Sequence, residues 1–328
     1  MGPYGPSRNR CVMRRVALIY NPASGQASPK RKAVIEGALS VLRKAGVEAH
    51  ALVTDAPESA GARALDAVRD GCETIIACGG DGTVHEIMQC LVGMPVALGV
   101  MPLGTANALA ANLGLGTSPV RAVEILLTAQ PVQVPVGQIF YRDKDGAEAS
   151  RYFTVAAGVG ADALCISMLD AGLKRRWGYA LYMMQMFKVW ATHSFPLFDA
   201  VFVPSDGGAA KPAEVSQVLA VRIRDFGGLL RNLAPGASIH KRSLRLLAFK
   251  TRSRMDYLRF VMASLFRRQT FFRQIELIDA LSVECRARDG AGAKVLVEAD
   301  GELLGALPMR IEIAEKELTL LIPPSSQP

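Results

Sequence analysis

Thr74-Ile75-Ile76-Ala77-Cys78-Gly79-Gly80-Asp81-Gly82-Thr83 decides the fold. The run Thr74–Cys78 is short and apolar, as in a strand covered on both faces. Gly79, Gly80 and Gly82 then break it, and a helix is expected from Thr83 to Leu91. Glycines let the backbone approach a polyphosphate closely and aim N–H groups at it, while the helix offers its positive end to the same anion. Asp81 is suited to Mg²⁺ or a water in its shell, and Thr83 to a helix cap. In isolation the same residues would also make an ordinary strand-to-helix turn, where Gly and Asp are common. The position directly after a buried strand favours phosphate binding.

The pattern repeats on both sides. Towards the N-terminus, Val16–Tyr20 reads as a strand stopped by Asn21-Pro22-Ala23-Ser24-Gly25. Val34, Ala38, Val41, Leu42 and Ala45 then fall on one face of a helix over Lys30–Ala45, which Gly46 ends. Glu48–Thr54 is a second strand and Glu58–Asp70 a second helix. Beyond the central motif come a strand over Val96–Met101 and helices over Thr105–Leu113 and Pro119–Ala129. Alternation at this spacing implies βαβ units and a parallel, Rossmann-like sheet. Ligands of such sheets bind beyond the carboxyl ends of the strands. The loops Asn21–Gly25, Gly79–Gly82 and Pro102–Gly104 should therefore converge there. Thr105 and Asn107 add neutral hydrogen-bonding groups beside the last loop.

After Pro131 the texture changes. Val132–Ile139, Arg151–Ala157, Asp199–Pro204, Glu214–Arg222, Leu244–Lys250, Leu281–Ala287, Val295–Ala299, Met309–Ile313 and Leu318–Ile322 read as strands. Helices are expected near Ala161–Asp170, Tyr179–Thr192 and Met255–Phe266. The expected organisation is a leader over 1–14, a nucleotide domain over 15–131, a β-rich, sandwich-like α+β domain over 132–322 and a tail over 323–328. A cleft should lie between the two domains.

Bulk properties agree with a folded chain. The chain has 328 residues, of which 50% are hydrophobic and 21% charged, a poor match to disorder. A net charge of +8 favours an anionic partner, such as nucleotide phosphates or an acidic membrane surface. No RNA- or DNA-binding motif is visible. Cys11, Cys72, Cys78, Cys90, Cys165 and Cys285 form no C-x-x-C pair, which fits a reducing, cytoplasmic setting. The leader has no apolar core and is not a secretory signal. Ile87–Val120 carries no charge, but its prolines and glycines would leave too much backbone unsatisfied in hydrocarbon.

Glu298-Ala299-Asp300-Gly301-Glu302 lies between two strand-like runs. Asp-Gly is a strong hairpin signal by itself. Its flanking acids suggest more, since a carboxylate at a strand end can accept a hydroxyl proton. Two further stretches, Lys174-Arg175-Arg176-Trp177 with Tyr179–Trp190, and Arg267-Arg268 with Phe266, Phe271 and Phe272, place cations beside aromatic and Met side chains. Such stretches suit an anionic lipid surface, and equally a buried core.

Together, Asn21-Pro-x-Ser-Gly25, Gly79-Gly-Asp-Gly-Thr-x-x-Glu86, Pro102-Leu-Gly-Thr-x-Asn107 and Asp300-Gly-Glu302 resemble the diacylglycerol kinase catalytic family, which includes bacterial YegS-like lipid kinases and sphingosine kinases. The resemblance runs from about Arg15 to Ile322. It implies an ATP- and Mg²⁺-dependent kinase acting on a lipid hydroxyl, a transferase of phospholipid metabolism. By matching positions, Asn21, Pro22, Ala23, Ser24, Gly25, Thr54, Gly79, Gly80, Asp81, Gly82, Thr83, Val84, His85, Glu86 and Thr105 would bind ATP, with Asp81 meeting its Mg²⁺. Asp300 would be the general base with Glu302 beside it. In the sphingosine branch that role falls on the residue matching Asp81. Contact with the inner membrane face and a homodimer are compatible with this reading. Relatives often hold an accessory Mg²⁺ with acids where this chain has Ala234-Pro235-Gly236-Ala237. Here Lys241 or Arg242 is expected to supply the positive charge. The competing readings are a kinase of a soluble acceptor, like the NAD kinases that share a Gly-Gly-Asp-Gly loop, and a nucleotide- or lipid-binding regulator.

Overall fold

The structure is a computed structural model that describes residues 13–22, 29–56, 59–168, 183–226, 233–265, 273–288 and 294–326. In the first lobe, β1 (Arg15–Tyr20), β2 (Glu48–Val53), β3 (Thr74–Gly79) and β4 (Ala97–Pro102) lie parallel in the order β2-β1-β3-β4. β3 and β4 are buried at every position, which is why their sequences show no alternation. Helices α1 (Pro29–Lys44) and α5 (Pro119–Leu126) pack together on this sheet, as do α2 (Ala60–Arg69) and α3 (Asp81–Leu91). Gly46 leaves α1 with φ +80°, a conformation that favours glycine. The short α4 (Ala108–Asn112) follows β4.

The second lobe is strand-rich, as expected. It contains β5 (Gln130–Arg142), β6 (Glu148–Phe153), β7 (Ala156–Val159), β8 (Phe198–Pro204), β9 (Lys211–Val215), β10 (Gln217–Val221), β11 (Leu244–Phe249), β12 (Ile275–Arg286), β13 (Leu296–Ala299) and β14 (Glu302–Ile322). Around them lie α6 (Ala161–Ser167), α7 (residues 183–192) and α8 (Arg254–Leu265). The path β14-β13-β7-β10-β11-β12 curls back on itself through a β12–β14 pairing. Phe153, Phe198, Phe202, Leu246 and Ile311 fill its interior.

Two differences from the sequence expectation have clear causes. β14 is a single strand, whereas Met309–Ile313 and Leu318–Ile322 read as two. A register shift between Ile313 and Glu317 accommodates the polar interruption without ending the strand. Its last residues pair with β5 and β4, and Leu318, Leu320, Leu321 and Ile322 belong to the core that fills the first lobe. The final strand thus ties the two lobes together. Second, Ser216 splits the expected Glu214–Arg222 strand into β9 and β10, because its hydroxyl bonds the Thr251 carbonyl and Tyr257.

The loop at 234–243 also departs from expectation. Lys241 reaches only the exposed Gly236 carbonyl at 3.0 Å, and Arg242 pairs with Glu317 at the surface. The positive charge inside is that of Arg222, 1% exposed. Its guanidinium donates to the carbonyls of Lys241, Ser243, Pro135 and Ile239 at 2.7–2.9 Å. Burial lowers the Arg222 pKa to about 10, so the group remains charged at neutral pH.

Candidate active site

Gly79 ends β3, Gly80 caps α3, and the helix begins at Asp81. Space rather than φ explains these glycines. A side chain on Gly79 would overlap that of Thr83, and one on Gly104 would lie 2.5 Å from the Gly80 Cα. The loops after β3 and β4 therefore touch backbone to backbone. Asn107, in the left-handed region with φ +47°, closes the second loop by accepting the Gly104 N–H and donating to the Gly104 carbonyl, both at 2.9 Å. Asp81 Oδ1 accepts the Ala108 N–H at 2.8 Å and so fastens the start of α4 to the first loop. The result is a glycine cradle at the carboxyl edge of the parallel strands, where an anion would meet the start of α3.

Most residues expected around a nucleotide fall at this edge. Asn21 and Pro22 follow β1, while Ala23, Ser24 and Gly25 lie outside the described residues. Thr54, at the end of β2, is buried, and its hydroxyl has no hydrogen-bond partner among the described residues. Gly82, Thr83 and Thr105 reach the surface of the cradle. Val84 packs into the core, and Glu86 accepts the Ala60 N–H at the start of α2 at 3.2 Å. His85 faces the second lobe. Arg31 was not anticipated by the motif reading; it donates to the Asn21 carbonyl at 2.7 Å and brings a cation to the same edge.

α3 joins the two lobes. Gln89, one turn after His85, exchanges hydrogen bonds with the Tyr152 backbone at 2.8 and 2.9 Å. His85 Nδ1 lies 3.4 Å from Asp300 Oδ2, and its Nε2 lies 3.6 Å from Glu302 Oε2. Asn112 of α4 makes a further bridge by accepting the Arg224 and Asp225 N–H groups. Gln89 and Asn112 carry no motif signature, which is why sequence reasoning missed both.

Asp300 and Glu302 belong to one turn but sit in opposite environments. Asp300 has φ +48° and its side chain is 3% exposed. Oδ1 accepts the N–H groups of Val155 and Ala156 at 2.9 and 3.0 Å, and Oδ2 accepts that of Thr154 at 3.0 Å. With His85 also on Oδ2, the acceptor capacity of this carboxylate is almost fully used. Glu302, by contrast, is 41% exposed, and its Oε1 lies 3.7 Å from where a Cβ on Gly82 would stand. The glycine turn of the first lobe and the acidic turn of the second therefore meet, as the sequence reading required.

Burial alone would lower the His85 pKa, but the Asp300 hydrogen bond and the charges of Asp300 and Glu302 outweigh it and raise it. A raised folded-state value gives stability that is fully present below the unfolded pKa, about 6.5, and lost as pH rises through the folded value. The melting temperature should fall as pH rises from about 6 to about 8, and His85→Gln should flatten that slope. A slope unchanged by the substitution would remove His85 from the interlobe contact.

Beside the turn, α6, α7 and α8 and strands β10 and β11 enclose a cavity of about 1030 Å³, counting its open mouth. Its wall is mostly apolar, including Met186, Trp190, Phe195, Leu247 and Phe260, with Asp162 and Gln217 as polar points. Asp162 adjoins Glu298, whose Oε2 accepts the Gly301 N–H at 2.9 Å. The cavity thus connects to the acidic turn through side-chain contacts.

Fold and site define a two-lobed α/β protein with a glycine-lined cradle facing an acidic turn. Residues 15–139 match the family model of the diacylglycerol kinase catalytic domain. The chain is 26% identical over 315 residues to a diacylglycerol kinase of Mycobacterium tuberculosis, covering 94% of this chain and 95% of that one. A diacylglycerol kinase of Staphylococcus saprophyticus is 32% identical over 150 residues, 45% of this chain and 46% of the relative. A crystal structure of a diacylglycerol kinase from Bacillus anthracis superposes with a TM-score of 0.73 at 20% identity, over 96% of this chain and 99% of that one. At that identity the superposition speaks for the fold. Among the described residues no helix is long and apolar enough to cross a membrane.

Proposed function

We propose that this protein transfers the terminal phosphoryl group of ATP to the hydroxyl of a diacylglycerol-like lipid. The observation that carries the reading is the meeting of the Gly79–Gly82 turn with the Asp300–Glu302 turn beside an apolar cavity. Phosphoryl transfer demands alignment and charge neutralisation more than covalent help. The cradle aims backbone N–H groups at the phosphates, with Asn21, Pro22, Thr54 and Thr105 around it. Bound Mg²⁺ would neutralise phosphate charge, and Asp81 is the carboxylate at the cradle that would meet it. No group of three or more metal-ligating side chains occurs among the described residues. That fits a nucleotide-borne Mg²⁺, which takes one or two carboxylates plus phosphate oxygens.

The acidic turn divides its labour. Asp300, occupied by backbone N–H groups, fixes the turn and orients His85. Glu302 faces the cradle and takes the proton of the acceptor hydroxyl as the new O–P bond forms. The cavity holds the acyl portion. Its lining favours this over a soluble acceptor, which would need more polar partners than Asp162 and Gln217.

The cavity mouth suits a membrane surface. Phe187, 66% exposed, lines the cavity and shares an exposed face of α7 with Met184 and Lys188. On α8, Met255, Arg259 and Met262 form a similar face, and Trp190 ties the helices together by donating to the Arg254 carbonyl at 2.8 Å. Apolar side chains flanked by cations fit an anionic bilayer. The stretches 169–182 and 266–272, with Lys174–Trp177 and Arg267-Arg268, lie outside the described residues. Flotation with phosphatidylglycerol vesicles should recover the protein at low salt, less at high salt, and less still with Phe187→Asp. Absence of flotation under all conditions would exclude this surface.

Nucleotide binding has its own test. Gly104→Ala forces a methyl group into the Gly80 backbone. It should weaken binding of a non-hydrolysable ATP analogue by at least about tenfold, the equivalent of 1.4 kcal/mol, in a calorimetric titration. Unchanged affinity would move the nucleotide away from the cradle.

A further inference from the structure

Glu298 lies in β13, 3% exposed, two residues before Asp300. Its Oε2 accepts the Gly301 N–H within the turn where Asp300 and Gly301 hold φ values of +48° and +82°. Its Oε1 faces Asp162 across Gly158. A methyl group on Gly158 would lie 2.8 Å from Glu298 Oε1 and 3.0 Å from Asp162 Oδ2. The two side chains are hydrogen-bonded, and with Glu298 buried both cannot ionise without a large electrostatic cost.

We infer that Glu298 and Asp162 share one proton, and that this hydrogen-bonded pair braces the Asp300–Glu302 turn against the wall of the acceptor cavity. Glu298 acts through Gly301 and touches neither substrate, so it is a positioning residue. Asp162, on the cavity wall, carries the brace to the space where the acceptor would sit. The charged groups facing Glu298 are Asp162 from α6 and Asp300 from the turn, while Leu219 of β10 closes an apolar side over Gly158. Burial, then the charge of Asp162, raise the Glu298 carboxyl well above the usual range; the Gly301 N–H opposes this, and Asp300 adds to it.

Only the catalytic consequence of this inference rests on the kinase reading; the shared proton does not. Glu298→Gln keeps a neutral side chain with one acceptor for Gly301 and donors for Asp162, whereas Glu298→Ala removes the brace. Infrared spectra of the purified protein near neutral pH should show a protonated carboxylic acid band that Glu298→Gln abolishes. A raised folded-state pKa makes stability fall as pH rises above the unfolded value, about 4.3 for Glu. The wild-type melting temperature should therefore fall with rising pH more steeply than that of Glu298→Gln. With ATP and dispersed diacylglycerol, Glu298→Gln should retain most of kcat and lose less of it than the wild type as pH rises, while Glu298→Ala loses kcat with little change in KM for ATP. Should Glu298→Ala fail to fold, the wild type and Glu298→Gln carry the test. A band that survives Glu298→Gln overturns the inference. A band that disappears in preparations inactive on every lipid upholds the shared proton and counts against the kinase reading alone.

Discussion

Glu302→Gln will lower kcat by about 10²–10⁴-fold while leaving the melting temperature and ATP affinity near wild type. Glu302 is solvent-facing and directed at the Gly82 turn, so removing its charge removes a proton acceptor and little packing. Asp300→Asn will behave differently. One carboxylate oxygen becomes an NH₂ group facing backbone N–H donors from Thr154 or from Val155 and Ala156. Donors left without an acceptor in a buried site cost about 1–3 kcal/mol each. This variant should lose activity and stability together. Steady-state kinetics and thermal melts on both variants separate the roles. If Glu302→Gln turns over near the wild-type rate and Asp300→Asn is inactive but fully stable, the assignment reverses and Asp300 is the base.

Arg222→Met should give the largest loss of stability of any single change considered, because several buried carbonyls lose their donor at about 1–3 kcal/mol each. Four carbonyls from two separate segments, the 239–243 loop and β5, converge on this guanidinium. Methionine fills the volume and satisfies none of them. Arg222→Lys should recover only part of the loss, since an ammonium cannot span the same fork. By contrast, Lys241→Ala with Arg242→Ala should melt close to wild type, because both side chains act at the surface. Chemical denaturation of the three variants provides the check. An Arg222→Met protein as stable as wild type would mean that the carbonyls find water instead.

The first lobe was almost entirely legible in the sequence because its physics is local. Buried parallel strands give unbroken apolar runs such as Thr74–Cys78, helices give the spacing of Val34, Ala38 and Leu42, and glycines mark the turns between them. The meeting of Gly79–Gly82 with Asp300–Glu302 was also legible, through four short motifs in order. What escaped depended on long-range partners. No local pattern announces that β14 continues through Ala314–Lys316, because the continuity comes from pairing with β5. Nothing in the sequence distinguishes Arg222 from other arginines, since its acceptors are backbone carbonyls up to 87 positions away. The contrast between the buried Asp300 and the exposed Glu302 was hidden for the same reason. Their neighbours in sequence are nearly identical, while Thr154–Ala156, which sets them apart, lies at the distant junction of β6 and β7.

The account turns on whether the glycine cradle and the acidic turn act together on a lipid hydroxyl. Terminally radiolabelled ATP, offered with diacylglycerol, a sphingoid base, a polyprenol and NAD in parallel, measures that directly when wild type is run beside Glu302→Gln. The expected result is label in a lipid alcohol with wild type and almost none with the variant. Label appearing in NAD alone, or equal labelling of lipid by both proteins, would contradict it.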